Sequence, residues 1–105
     1  MLTRLLAQRL RRTTELLTEA LFVAADLRVL RRLSELASLY APAARTAVVP
    51  LAQHELAELA GTSRATVNRV LRAEVQRGTV TLGRNQVTVV DRATLAARAA
   101  RGDLT

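Results

Sequence analysis

Gly61 separates two segments of helical apolar periodicity. The stretch it opens, Gly61-Thr62-Ser63-Arg64-Ala65-Thr66-Val67-Asn68-Arg69-Val70-Leu71-Arg72, limits what the chain can fold into more than any other. Before it, Leu56, Ala57, Leu59 and Ala60 supply the apolar face of a helix expected over residues 53–60, and a glycine there supplies the positive φ that a sharp helix exit needs. After it, two hydroxyl residues can cap a second helix over 64–76, whose apolar stripe is Val67, Val70, Leu71 and Val75. Burying that stripe leaves Arg64, Ala65, Asn68, Arg69 and Arg72 on or near the opposite side. Such a pair of helices reads as a DNA-binding helix-turn-helix, because arginine's planar donor fork fits a guanine edge or a phosphate. A surface helix with solvated arginines is the alternative, and the flanking chain decides between them.

Charge favours a polyanionic partner. Sixteen basic residues, all arginine, stand against nine acidic ones and give a net charge of +7 within 105 residues. That length suits one small domain with an appendage. The only large aromatic rings are Phe22 and Tyr40, too few for a platform that stacks single-stranded bases, so duplex DNA is the expected partner. With no cysteine, disulfides and cysteine-ligated metals are excluded, and no cofactor or metal is expected. No apolar run approaches the ~18 residues of a membrane span, and Met1 leads into an arginine-studded pattern without a signal-peptide core, so a cytoplasmic location is expected. Enzymatic activity is not expected: His54 is the sole histidine, on a helix face expected to be exposed, and no clustered carboxylates accompany it.

Leu2, Leu6, Leu10, Leu17, Ala20 and Ala24, with Thr13 filling the one gap, recur at three- and four-residue steps, a coiled-coil-like seam. A helix of ~23 residues would be ~34 Å long, more than a small domain needs for its own packing. A parallel homodimer along these seven residues is the expected use; folding back onto the same domain is the alternative, and Glu15, Glu19 and the lack of tryptophan argue against a membrane-surface helix. Near Phe22-Val23-Ala24-Ala25-Asp26 the seam changes phase, which suggests a hinge, with Asp26 capping a new helix over 27–40 that buries Leu27, Leu30, Leu33, Leu36, Ala37 and Tyr40 and turns Arg28, Arg31 and Arg32 elsewhere. The chain thus divides into a dimerisation helix, 1–25, and a DNA-binding domain, 26–105.

Ala47-Val48-Val49-Pro50 is short, β-branched and proline-ended, hence an expected edge strand. Ala52, at the cap of the first helix of the pair, has no side-chain acceptor, so the capping box that Glu55 would complete lacks its first member. Beyond Gly78, Thr79-Val80-Thr81-Leu82 and Gln86-Val87-Thr88-Val89-Val90 alternate with period two around Gly83-Arg84-Asn85, the signal of a hairpin with Arg84 at its tip. Asp91 can cap a last helix over 92–101, before Gly102 and a short tail. The fold class is therefore mainly α with a small β-hairpin: a winged helix-turn-helix preceded by a long amphipathic helix.

These residues resemble the C-terminal half of the cyclic-AMP receptor protein/FNR family of bacterial transcription regulators. The resemblance lies in Leu51, Glu55-Leu56-Ala57, Gly61-Thr62-Ser63-Arg64, Thr66-Val67-Asn68-Arg69-Val70-Leu71, Gly78, and Gly83-Arg84 ahead of Val87-Thr88-Val89-Val90-Asp91. Upstream, Leu6-Ala7-Gln8-Arg9-Leu10-Arg11-Arg12 and Phe22 are similar to the end of the family's long dimerisation helix. The resemblance implies that Arg64 and Arg69 reach base edges while Ser63 and Thr66 hold phosphates. Ala65 and Asn68 are added to the base-facing set, and Gln53, Arg72 and Arg84 to the phosphate set. Two positions depart from the family pattern: Ala65 where a glutamate is common and Ala52 where a threonine is common. Alanine can touch a thymine methyl but cannot accept from a cytosine amino group. The family's effector-binding domain is not matched, so a fragment or truncated paralogue without a small-molecule effector site is expected. The expected partners are double-stranded DNA, a second copy of the chain and, further, RNA polymerase. The competing function is a protein-interaction or dimerisation module that no longer binds DNA specifically.

Overall fold

The structure, a computed structural model, describes residues 2–102; the expected tail, 103–105, lies outside the described residues. Its elements in order are α1 (Leu2–Tyr40), β1 (Ala47–Val49), α2 (Gln53–Ala60), α3 (Arg64–Arg77), β2 (Val80–Gly83), β3 (Gln86–Val89) and α4 (Arg92–Arg101). The fold is a winged helix-turn-helix preceded by a long helix.

α1 is one continuous helix of 39 residues, which corrects the hinge expected at 22–26. The segment contains neither glycine nor proline, and its two alanines are the best helix formers, so nothing in it breaks the backbone ladder. Asp26 caps no helix; its carboxylate is used elsewhere, as described below. The phase change in the apolar pattern has a different cause. With ~100° per residue, the seam and the core-facing residues centre on roughly opposite sides of one rod. From Ala25 onward α1 packs on its own domain, burying Ala25, Val29, Leu30, Leu33 and Ala37. Leu27 and Leu36 are only partly covered, and Tyr40, expected in the core, is exposed. Before Ala25 the described residues of α1 are exposed, Leu2 at 71%, Leu10 at 70% and Leu17 at 60%, so the helix does not fold back and the molecule is 62 Å long and 25 Å wide. Thr13 Oγ1 donates to Arg9 O at 3.0 Å, so the one polar member of the seam satisfies its hydroxyl within its own helix.

The sheet has three antiparallel strands in the order β1-β3-β2, so the hairpin does not stand alone. β1 lies on one edge, with Ala47 opposite Val89 and Val49 opposite Val87, and Pro50 follows at its end, where a missing N–H does least harm. Gly83 pairs with Gln86 across the hairpin, leaving Arg84 and Asn85 as the turn, and Asn85 takes the positive φ of 55° that asparagine tolerates better than most residues. Val49, Val80, Val87 and Val89 meet Leu30, Leu33, Leu56, Val67, Leu71 and Leu95 in a single core.

Two positions in the helical pair differ from the apolar pattern. Leu59 is exposed, and on α3 Glu74 is buried where Val75 was expected; Val75 is 38% exposed. The 3–4 spacing from Val67 through Val70 and Leu71 arrives at 74, and the fold accepts an acid there by neutralising it. Arg98 of α4 donates to Glu74 Oε1 in a close ion pair, Thr79 Oγ1 donates to the same oxygen at 2.9 Å, and Arg77 donates to Oε2 at 2.8 Å. Burial pushes the Glu74 carboxyl up, but these hydrogen bonds outweigh it and hold the group below its ordinary range. α4 is also fixed at its start. Asp91 caps it by accepting from Thr94 N at 3.2 Å, and Arg92 donates to the carbonyls of Ala41 and Ala44 and to Ser38 Oγ, closing the loop after α1.

Candidate nucleic-acid interface

The turn between α2 and α3 sets the site. Gly61 adopts φ 63°, a left-handed conformation that few side chains tolerate, and its N–H bonds to Glu58 O at 3.2 Å. α1 closes the same turn from behind. Arg28, expected to point away from the domain, instead donates through Nε to Ala60 O at 2.9 Å and through Nη2 to Gly61 O at 3.2 Å, so it satisfies carbonyls that the end of α2 leaves open. At the start of α2 only half of a capping box forms: Ala52 N donates to Glu55 Oε1 at 2.9 Å, and Ala52 has no oxygen with which to return the bond.

Ser63 caps α3 by accepting from Thr66 N at 3.1 Å, with its hydroxyl 3.0 Å from that of Thr66. Thr66 is buried, so the phosphate contact expected of it meets a hydroxyl already turned inward to the cap; Ser63 is the exposed member of the pair. Around the outer face of α3 stand Arg64, Ala65, Arg69 and Arg72, all exposed, and Asn68, half-buried. Arg72 Nε donates to Asn68 Oδ1 at 2.8 Å, joining two of the expected contact residues into one unit. Ala65 leaves a gap in the middle of this face.

Arg69 is placed differently from the expectation of a free base-reading side chain. Its Nη1 and Nη2 donate to Asp26 Oδ2 and Oδ1 at 2.8 and 2.7 Å, a bidentate pair between α3 and α1. These hydrogen bonds outweigh the modest burial and hold the guanidinium above its ordinary pKa. Arg64 lies on the other margin of α3. It shares a cleft of about 260 Å³ with Gln53 and His54 at the start of α2 and with Gly83, Asn85 and Gln86 of the hairpin. The cleft brings together three of the expected elements: the first helix, the second helix and the wing. Arg84 is exposed at the wing tip. His54, Asn85 and Gln86 were not assigned to the site from the sequence, where His54 reads as a surface residue and Asn85 and Gln86 only as parts of the hairpin; the packing of the hairpin beside α2 makes them neighbours of Arg64.

Positive charge dominates this face. Arg64, Arg72 and Arg84 have no carboxylate partner among the described residues, whereas the acids nearby, Asp26, Glu55 and Glu74, are each engaged by a protein donor. Among the described residues no group of three histidines, cysteines or acids could hold a metal, and no helix is long and apolar enough to cross a membrane.

Residues 27–98 match the model of the Crp-like helix-turn-helix domain. The chain belongs to that family. It is a family of transcription regulators, which is not an enzyme class. A CRP-like cAMP-activated global transcriptional regulator of Mycobacterium tuberculosis is 38% identical over 101 residues, covering 93% of this chain and 45% of the relative. Among solved structures, the catabolite activator protein of Thermus thermophilus is 39% identical with a TM-score of 0.71, covering 97% of this chain and 46% of that one. Oxidised CprK in complex with o-chlorophenolacetic acid superposes with a TM-score of 0.63 at 25% identity, covering 89% of this chain and 39% of the other. The chain therefore spans less than half the length of the relatives it matches.

Proposed function

We propose that this Crp-like domain binds double-stranded DNA sequence-specifically, as a homodimer, and regulates transcription in the cytoplasm. The observation that carries the reading is the cleft and helix face just described: the N-terminus of α3, the start of α2 and the wing tip all face outward together, and Arg64, Arg72 and Arg84 there meet no carboxylate among the described residues. α3 would enter the major groove, with Arg64 and Arg69 reading base edges and Ala65 and Asn68 lining the same surface. Phosphate contacts from Gln53, Ser63, Arg72 and Arg84, with His54 beside Gln53, would set the register. The boundary between dimerisation helix and DNA-binding domain falls near Ala25, the first residue of α1 to be buried. Pairing of α1 along Leu2, Leu6, Leu10, Thr13, Leu17, Ala20 and Ala24 would present two copies of α3 to successive major grooves ~34 Å apart on a pseudo-palindromic site. RNA polymerase is the partner through which such a bound dimer would act.

Arg64→Ala is expected to weaken the preferred site by ~1–3 kcal/mol and to flatten discrimination at one base pair, while binding to random duplex changes much less. Fluorescence anisotropy on both duplexes checks this; equal losses on the two would remove Arg64 from base reading. Arg84→Ala is expected to lower affinity on every sequence and to reduce the slope of log K against log salt by about one unit. A titration between low and moderate salt measures the slope, and an unaltered value would take the wing tip out of the contact set.

A further inference from the structure

Arginine 69 has five N–H donors in a planar fork, and the geometry of its pairing decides which remain. Asp26 takes the end of the fork, one hydrogen from each of Nη1 and Nη2, at 2.8 and 2.7 Å. The side edge, made of Nε and the second hydrogen of Nη2, takes no bond among the described residues, and it is this kind of two-donor edge that matches O6 and N7 of guanine. Exposure agrees with such a division of labour: the Asp26 side chain is 15% exposed and that of Arg69 is 53% exposed. The carboxylate is the sheltered anchor and the guanidinium the outward-facing group.

The anchor stands on fixed ground. Asp26 follows Ala25, where α1 becomes buried, and two residues later Arg28 is bound to the carbonyls of Ala60 and Gly61 at the turn. The same short length of α1 therefore grips both the turn and the reading helix. An arginine without such a partner spreads over many rotamers and can turn to a phosphate as readily as to a base; held end-on by a sheltered carboxylate, it has far fewer poses to lose on binding. The carboxylate also cancels the charge of Arg69, so the pair adds little to attraction that any phosphate backbone would supply.

We propose that Asp26 is the residue that sets specificity at the base pair read by Arg69, holding the guanidinium so that its Nε–Nη2 edge faces the groove and withholding its charge from non-specific phosphate binding. The inference deepens the DNA-binding reading and rests on it. It makes two expectations of opposite sign for Asp26→Asn, which keeps the shape and removes the charge. Preference at the Arg69 base pair falls about tenfold, within the range for loss of one well-placed bidentate contact. Affinity for random duplex rises, and the salt slope steepens by up to one unit as the freed arginine finds phosphates.

The test uses the full chain in four forms, wild type, Asp26→Asn, Arg69→Ala and the double variant. Each is selected on randomised duplexes and titrated on random DNA at several salt concentrations, with thermal melting as the check on folding. Arg69→Ala identifies the base pair in question. The expected result is that Asp26→Asn loses preference at that pair alone, keeps the preference assigned to Arg64, binds random DNA more tightly, and adds nothing once Arg69 is alanine. An unchanged motif in Asp26→Asn, with wild type enriched, overturns the role of Asp26 and leaves DNA binding intact. A tighter but otherwise identical motif would make Asp26 a brake and overturns it as well. A lowered melting temperature with both kinds of binding weakened, repeated in Asp26→Ala, would reduce Asp26 to a stability residue. If the wild type itself enriches nothing, the DNA-binding reading fails first and carries this inference with it.

Discussion

Glu74→Ala is expected to destabilise the domain by about 3–5 kcal/mol, the cost of leaving a buried charge without its partner. Glu74 is 1% exposed and Arg98 7%, and the carboxylate receives bonds from Arg98, Thr79 and Arg77. Arg98 Nη2 is buried with no hydrogen-bond partner among the described residues, so the ion pair with Glu74 is what keeps that guanidinium tolerable inside. A domain of this size has a total stability of about 5–15 kcal/mol, so the variant should unfold at far lower urea than the parent. Replacing both partners by apolar residues, Glu74→Leu with Arg98→Met, should recover most of the loss, because no charge is then stranded. Urea curves for the parent and the two variants check the claim, and a Glu74→Ala midpoint close to the parent's would show that water reaches Arg98. The acid limb has a definite sign. The Glu74 carboxyl is held below its unfolded value, so its contribution is full above the ordinary glutamate range and disappears as pH falls through the lowered folded value. Glu74→Gln should accordingly flatten that limb.

The second large effect concerns association. Leu10→Asp combined with Leu17→Asp is expected to leave the fold and melting temperature of the winged domain nearly unchanged, since both side chains are exposed, 70% and 60%, and touch none of its core. Binding to a two-half-site duplex should nevertheless fall by a hundredfold or more, because the second recognition helix is no longer delivered at the millimolar effective concentration that linkage supplies. Binding to a single half-site should be unaffected. Sedimentation of the parent and variant, with anisotropy on both duplexes, measures this. A variant that remains dimeric would move the interface off the seam.

Most of the fold was legible because its signals are local. Glycine placement gave the two sharp turns at Gly61 and Gly78, serine and aspartate gave the caps at Ser63 and Asp91, and period-two alternation gave the hairpin. What escaped is decided by tertiary pairing. A hinge was read at 22–26 because the apolar pattern changes phase, yet α1 runs through it as one continuous helix whose core-facing residues begin at Ala25, on the side away from the seam. Val75 was assigned to the core because it is apolar, although the spacing favours 74; an acid at that place becomes acceptable only with Arg98, 24 residues away. Arg28 and Asp26 read as surface and cap because their partners, Gly61 and Arg69, lie 33 and 43 residues further on. In the site, the residues on α3 were legible from helical geometry alone, whereas His54, Asn85 and Gln86 required the wing to be folded beside α2.

Selection of the purified chain on randomised duplexes, followed by sizing of the complex formed with the enriched sequence, tests the central claim most directly. The account predicts one pseudo-palindromic motif with half-sites a helical turn apart, bound by two chains, and with preferences that disappear base pair by base pair in Arg64→Ala and Arg69→Ala. Recovery of unselected sequence, at an affinity that varies only with salt, would contradict it.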